Sequence, residues 1–144
     1  MAFLLSYDGY MREEKIKEIC PTAVLFMKCG LQNFVLEFRR FYETATPSLE
    51  TGEEMVPAVI WTLEESDLED MEIVYPNEVY EKTEWNLKTK KGAFDVTVFL
   101  MNKTPYALPK EKELEAMEKA YEEHEFDYSC VENALDRTKD REEE

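Results

Sequence analysis

Glycine is scarce in this chain, with four residues in 144. A loop that wraps phosphate in backbone N–H groups needs several closely spaced glycines, and no such run exists. No serine stands in a G-x-S-x-G elbow. One histidine and three scattered cysteines, Cys20, Cys29 and Cys130, leave no set with the ligand spacing of zinc. An odd cysteine count without a secretory leader reads as reduced thiols in a cytoplasmic protein. The apolar residues 2–7 are too short for a signal peptide and lack its basic start. No apolar run approaches the roughly 20 residues that span a bilayer. Positive charge is also in short supply: 17 Lys+Arg stand against 33 Asp+Glu, a net charge of -16. That balance excludes a nucleic-acid partner and an anionic membrane surface, both of which are held by Lys and Arg. No cofactor and no metal are expected. The acidic run at residues 64–72 lacks the glycine of a calcium loop and reads as a solvated helix face.

What is present suits one folded domain. Hydrophobic residues make up 44% and aromatic residues 12%, enough to build a core despite the charge. Strand signals fall at residues 2–7, 22–28, 34–41, 55–63, 80–87 and 93–101. Phe34, Leu36 and Phe38 share one face, as do Val96, Val98 and Leu100. Residues 30–33 separate the second and third of these strands, and residues 43–54, with Pro47 and Gly52, read as a loop. Residues 12–20 form a helix stopped by Pro21. The Thr62-x-x-Glu65 spacing predicts a capping box before a helix carrying Leu68 and Met71 inward. Residues 110–123 are amphipathic through Leu114, Met117 and Tyr121, and His124 ends them as a favourable cation at a helix C-terminus. Asp127 caps a last short helix with Val131, Ala134 and Leu135. The expectation is an α+β fold, a small mixed β-barrel or sheet of about six strands with outer helices. It occupies residues 1–135, followed by a charged tail, 136–144, that frays.

The first strand runs into Tyr7-Asp8-Gly9-Tyr10-Met11 and then a helix, a junction that aims backbone N–H groups at one point. That turn resembles the Tyr-Gly-Ser-Asn-Met turn of the gamma-glutamylcyclotransferase superfamily, which includes the AIG2-like proteins. Further along, Cys20-Pro21-Thr22-Ala23 resembles the family's Cys-Pro-x-Ala. Residues 31–38 (LQNFVLEF) and 56–63 (VPAVIWTL) are similar to two of its strands, and 67–72 (DLEDME) to its Asp-Leu-x-x-Leu-Asp. Tyr80, residues 96–102 (VTVFLMN) and the helix at 115–124 complete a resemblance that reaches about residue 135.

The resemblance implies a gamma-glutamylcyclotransferase-like fold whose active members close a gamma-glutamyl group into 5-oxoproline. The alpha-amine attacks its own gamma-carbonyl while a glutamate serves as base. It places substrate contacts at Tyr7, Asp8, Gly9, Tyr10, Met11, Tyr80 and Phe99, and a small gamma-glutamyl or amino-acid-like molecule as ligand where the pocket is open. It also implies a loss. Setting Met71-Glu72 on the family's Leu-Asp puts Tyr75 at the catalytic position of the glutamate, and an unperturbed phenol titrates near pH 10, too high for a base at neutral pH. Asp8, Gly9 and Tyr10 replace Gly, Ser and Asn of the turn, and Phe99 stands where tyrosine is frequent. Glu78 is the possible substitute carboxylate. The expectation is a diverged member without the standard base, acting as a ligand-binding or interaction module; the alternative is an active enzyme with a relocated carboxylate. Oligomeric state is left open.

Overall fold

The apolar run at the N-terminus becomes β1 (Ala2–Ser6), buried at four of its five positions. Burial on both faces follows from its central place in a five-stranded sheet. It pairs antiparallel with β3 (Thr44–Leu63) and parallel with β5 (Gly92–Met101). With β2 (Val24–Phe41) and β4 (Tyr80–Thr89) the strand order is β2-β3-β1-β5-β4. Four helices complete the fold: α1 (Glu13–Ile19), α2 (Glu65–Val74), α3 (Glu111–Glu123) and α4 (Ser129–Glu142). The computed structural model describes residues 1–142. The architecture is the expected mixed α+β fold, and its sheet is open. Phe34 against Trp85 (5.4 Å between ring centroids) and Phe41 against Tyr80 (5.7 Å) bring side chains of the two edge strands, β2 and β4, together.

Two of the expected strands and one expected loop are corrected. Residues 22–28 and 34–41 belong to a single 18-residue strand, because residues 30–33 bulge and do not turn. The register slips between Gln32 and Phe34, and Asn33 takes the slack in a left-handed conformation (φ 67°). Residues 43–54 are strand as well, and the chain reverses at Tyr42 and Glu43. Pro47 is tolerated there because β1 reaches only from Val59 to Leu63 along β3, leaving Pro47 without a ladder on that side. Gly52 is needed for close approach, since a Cβ at this position would run into Val35.

The start of α2 also departs from its expected cap. Thr62 Oγ1 donates to Val24 O (3.3 Å), and Thr22 Oγ1 instead accepts from Glu64 N (3.0 Å). Asp127 does cap α4, accepting from Ser129 N at 2.8 Å. Of its expected inner residues, Val131 and Ala134 are buried and Leu135 is half-buried; Leu68 and Met71 of α2 are buried.

The charged C-terminal segment is helical as far as it is described. Residues 136–142 continue α4; residues 143 and 144 lie outside the described residues. Glu37, buried on β2, accepts from Arg137 (3.2 Å) and Arg141 (2.6 Å), while Arg137 also reaches Leu36 O and Glu54. Ion pairing to a buried acid orders charges that would otherwise favour solvent. Glu37→Gln is expected to cost about 1–3 kcal/mol, less than a fully buried pair because both arginines remain about one-third exposed. Urea unfolding of the variant, with amide exchange of α4 rising first, checks it.

Candidate functional site at the N-terminal turn

β1 delivers Tyr7 to the edge of β5, where its hydroxyl donates to Phe99 O at 2.6 Å. The next residue closes the turn. Asp8 Oδ1 accepts from Tyr10 N (3.0 Å), which caps the short 3₁₀ turn Gly9–Met11, and Met11 N donates to Asp8 O (3.0 Å). Gly9 packs beneath α3, so that a Cβ there would stand 3.7 Å from Ala116 Cβ. Met11 is wholly buried, and its carbonyl accepts from Nε2 of His124 at 2.5 Å. A carbonyl can only accept, so Nε2 carries a proton, and His124 at the end of α3 is a buried tie to the turn.

The opposite wall comes from the end of α2. Tyr75 is its C-terminal cap residue, with its amide bonded to Met71 O (3.0 Å), and Pro76 prevents a further turn. The helix stops there and sends the Tyr75 ring inward. The ring stacks on Phe99 (4.7 Å, 15°) and meets Tyr80 (4.8 Å) and Tyr10 (5.7 Å) edge on. Its hydroxyl donates to Asp8 Oδ2 at 2.7 Å. Both partners are nearly sealed from solvent, Asp8 at 5% exposure and Tyr75 at 7%.

Burial decides the electrostatics of the pair. It raises the Asp8 carboxyl above the ordinary carboxylate range, against the hydrogen bonds from Tyr75 and Tyr10 N and the nearby Lys15 ammonium, which act in the opposite direction. Burial, then the charge of Asp8, holds the Tyr75 phenol well above its ordinary value. Tyr75 therefore keeps its proton and is a donor to Asp8, not a base. Tyr7 and Tyr80 are raised by burial in the same way.

Little room remains beside the turn. The cavity bordered by Asp8, Gly9, Tyr10 and Lys15 holds about 50 Å³. That is space for one or two waters, against the roughly 300–1,000 Å³ of ordinary ligand sites. A shallower depression of about 270 Å³, lined by Glu72, Pro76, Asn77 and Lys82, lies against the rings of Tyr75, Tyr80 and Phe99.

Of the residues singled out from the sequence, the structure brings together Tyr7, Asp8, Gly9, Tyr10, Met11, Tyr75, Tyr80 and Phe99. Glu78 is exposed, and its carboxylate accepts from the Tyr42 hydroxyl (2.7 Å) at the tip of the β2–β3 hairpin. Sequence reasoning missed Lys15, whose ammonium sits over the Tyr10 ring at 4.8 Å. It also missed the pairing itself. Asp8 and Tyr75 read as two separate departures, although an added acceptor and an added donor at facing positions are the signature of a new bond. Among the described residues no group of three or more His, Cys, Asp or Glu is placed to hold a metal ion, and no helix is long and apolar enough to cross a membrane.

No family model and no curated protein matches the sequence. Solved structures do match the fold. A gamma-glutamyl cyclotransferase is similar over 85% of this chain and 79% of its own, at 20% identity and a TM-score of 0.75. The uncharacterized protein LOC79017 from Homo sapiens gives the same values. YkqA from Bacillus subtilis is similar over 96% of this chain but 54% of its own, at 12% identity and a TM-score of 0.74. The chain thus has the gamma-glutamyl cyclotransferase-like fold, as its turn, strands and helices led one to expect.

Proposed function

We propose that this chain is a diverged protein of the cyclotransferase-like fold that has lost ring closure and acts as an interaction module. One observation carries the reading: the Tyr75 hydroxyl, where the resemblance places the base, lies 2.7 Å from Asp8 Oδ2, and both side chains are nearly sealed from solvent. Ring closure needs a gamma-glutamyl chain held with its amine against its own carbonyl, a base for the ammonium proton and donors for the oxyanion. Tyr75 supplies no base, and its ring is stacked on Phe99 beside the turn. Asp8, the carboxylate within the turn, already accepts from Tyr75 and Tyr10 N, and Glu113 borders the small cavity beside it.

A second reading keeps an enzyme with a relocated carboxylate. Asp8 favours it more than Glu78 does, because Asp8 is at the turn and Glu78 faces Tyr42. Incubation with gamma-glutamyl amino acids, gamma-glutamyl-lysine and glutathione, followed by assay for 5-oxoproline, separates the two. The expected result is no release above the uncatalysed background. Release that vanishes in Asp8→Asn or Glu78→Gln establishes the enzyme instead.

A further inference from the structure

We propose that a groove remote from the N-terminal turn, between the middle of the β2–β3 hairpin and the α3–α4 junction, docks a basic peptide segment carrying an apolar anchor. The inference rests on the interaction-module reading and gives that module a surface and a partner chemistry. The groove holds about 570 Å³, within the usual range for a binding site. Met55, Pro57, Phe126 and Cys130 supply its apolar lining.

Local structure explains why it is open. Glu125 bends the chain out of α3 in a left-handed conformation (φ 58°), and Phe126 N closes back on Tyr121 O at 2.8 Å. This leaves Phe126 half-buried, leaning on His124 and Tyr121. Across the groove, Met55 is 43% exposed, although the residues that follow it on β3 are buried. Its thioether lies over Gly30, where a Cβ would come within 2.7 Å of the sulfur. An uncovered, flexible methionine in the same groove as an aromatic ring is suited to an apolar side chain of variable shape. Thiol chemistry is not what the groove offers, because burial pushes Cys29 up to about 11 and raises Cys130 as well.

Charge selects the occupant. Glu54, Glu125 and Asp127 border the groove against one cation, Lys28, whose ammonium is engaged with His124 O at 3.1 Å. Arg137 offsets Glu54 at 2.8 Å, and Lys28, whose charge a carbonyl partner does not cancel, offsets one of the other two, so the rim keeps a net negative charge from Glu125 and Asp127 beside the apolar floor. On a chain of net charge -16 the long-range field also draws a cationic partner and repels a second copy. A segment with lysine or arginine on either side of a leucine or phenylalanine meets both conditions.

The test uses the full chain and a fluorescein-labelled peptide, KRLFRK, with KRAARK and EELFEE as controls. KRLFRK is expected to bind and to move the amide resonances of Gly30, Met55, Phe126 and Asn133. Its affinity falls several-fold when salt is raised to about 0.5 M, as screening requires. KRAARK binds about tenfold more weakly, the order expected for losing apolar anchors, and EELFEE does not bind. Met55→Lys reduces binding at least several-fold. So does Glu125→Asn, which removes the charge while keeping a residue that tolerates the left-handed backbone. No binding of KRLFRK at millimolar peptide overturns the proposal. Equal binding of KRAARK, resonance changes elsewhere, or a dimer in sedimentation that Met55→Lys abolishes does so too. Detection of 5-oxoproline would sink the loss of ring closure without altering the peptide result, so the two failures are distinguishable.

Discussion

Tyr75→Ala is expected to destabilise the protein by about 3–5 kcal/mol, the usual cost of cutting a buried aromatic ring back to a methyl group. The ring touches three others, at 4.7 Å (Phe99), 4.8 Å (Tyr80) and 5.7 Å (Tyr10), so no single neighbour can collapse into the space it leaves. The variant also strips Asp8 of its phenol donor in a place that water scarcely reaches. Tyr75→Phe isolates that part: the ring stays, one hydrogen bond to a carboxyl goes, and the loss is about 1–3 kcal/mol. Denaturant unfolding with an unchanged m-value measures both. The opened space has the outline of the lost side chain, so p-cresol should raise the melting temperature of Tyr75→Ala and leave that of the parent unchanged. A loss below about 1 kcal/mol in Tyr75→Ala, too small for a packed ring, means the ring does not fill the site beside Asp8.

The parts of the fold that could be read from sequence are those whose pattern is set by near neighbours. β1 and β5 show their burial as apolar runs, and α3 shows its inner face as Met117 and Tyr121 at helical spacing. The long hairpin was hidden because Pro47 and Gly52 are turn formers by local preference. Tertiary context overrides that preference: Pro47 lies where β1 does not reach, and Gly52 makes room for Val35. The contacts of the charged C-terminal segment were hidden for a related reason. Alternating charges predict fraying unless a buried acid lies opposite, and Glu37 is about a hundred residues away in sequence from Arg137 and Arg141. At the candidate site, the residue types at positions 8 and 75 were legible through the resemblance. Their bond was not, since 67 residues separate them and only the folded chain aligns the end of α2 with the turn.

Asp8→Asn carries the largest expected change in pH dependence. Burial raises the Asp8 carboxyl above 3.8, so the folded state binds its proton more tightly than the unfolded chain does. The sign follows. Below the unfolded value the stabilising contribution of protonated Asp8 is fully present; it is lost as pH rises through the higher folded value, and ionised Asp8 at neutral pH burdens the fold. Asparagine offers the same outline, an oxygen for Tyr10 N and an amide for the Tyr75 oxygen, without a titrating charge. Melting temperatures of the two proteins should coincide at the acid end, then diverge, with Asp8→Asn higher by a few degrees at pH 7. The other carboxylates contribute equally to both curves and cancel in the difference. The same divergence bears on function. A carboxyl that the fold prefers neutral, donor-bound and enclosed is a structural element of the core, whereas one poised for proton transfer would face a substrate. If the two curves run parallel at every pH, Asp8 titrates as an exposed acid does, and the turn is open enough to reconsider catalysis there.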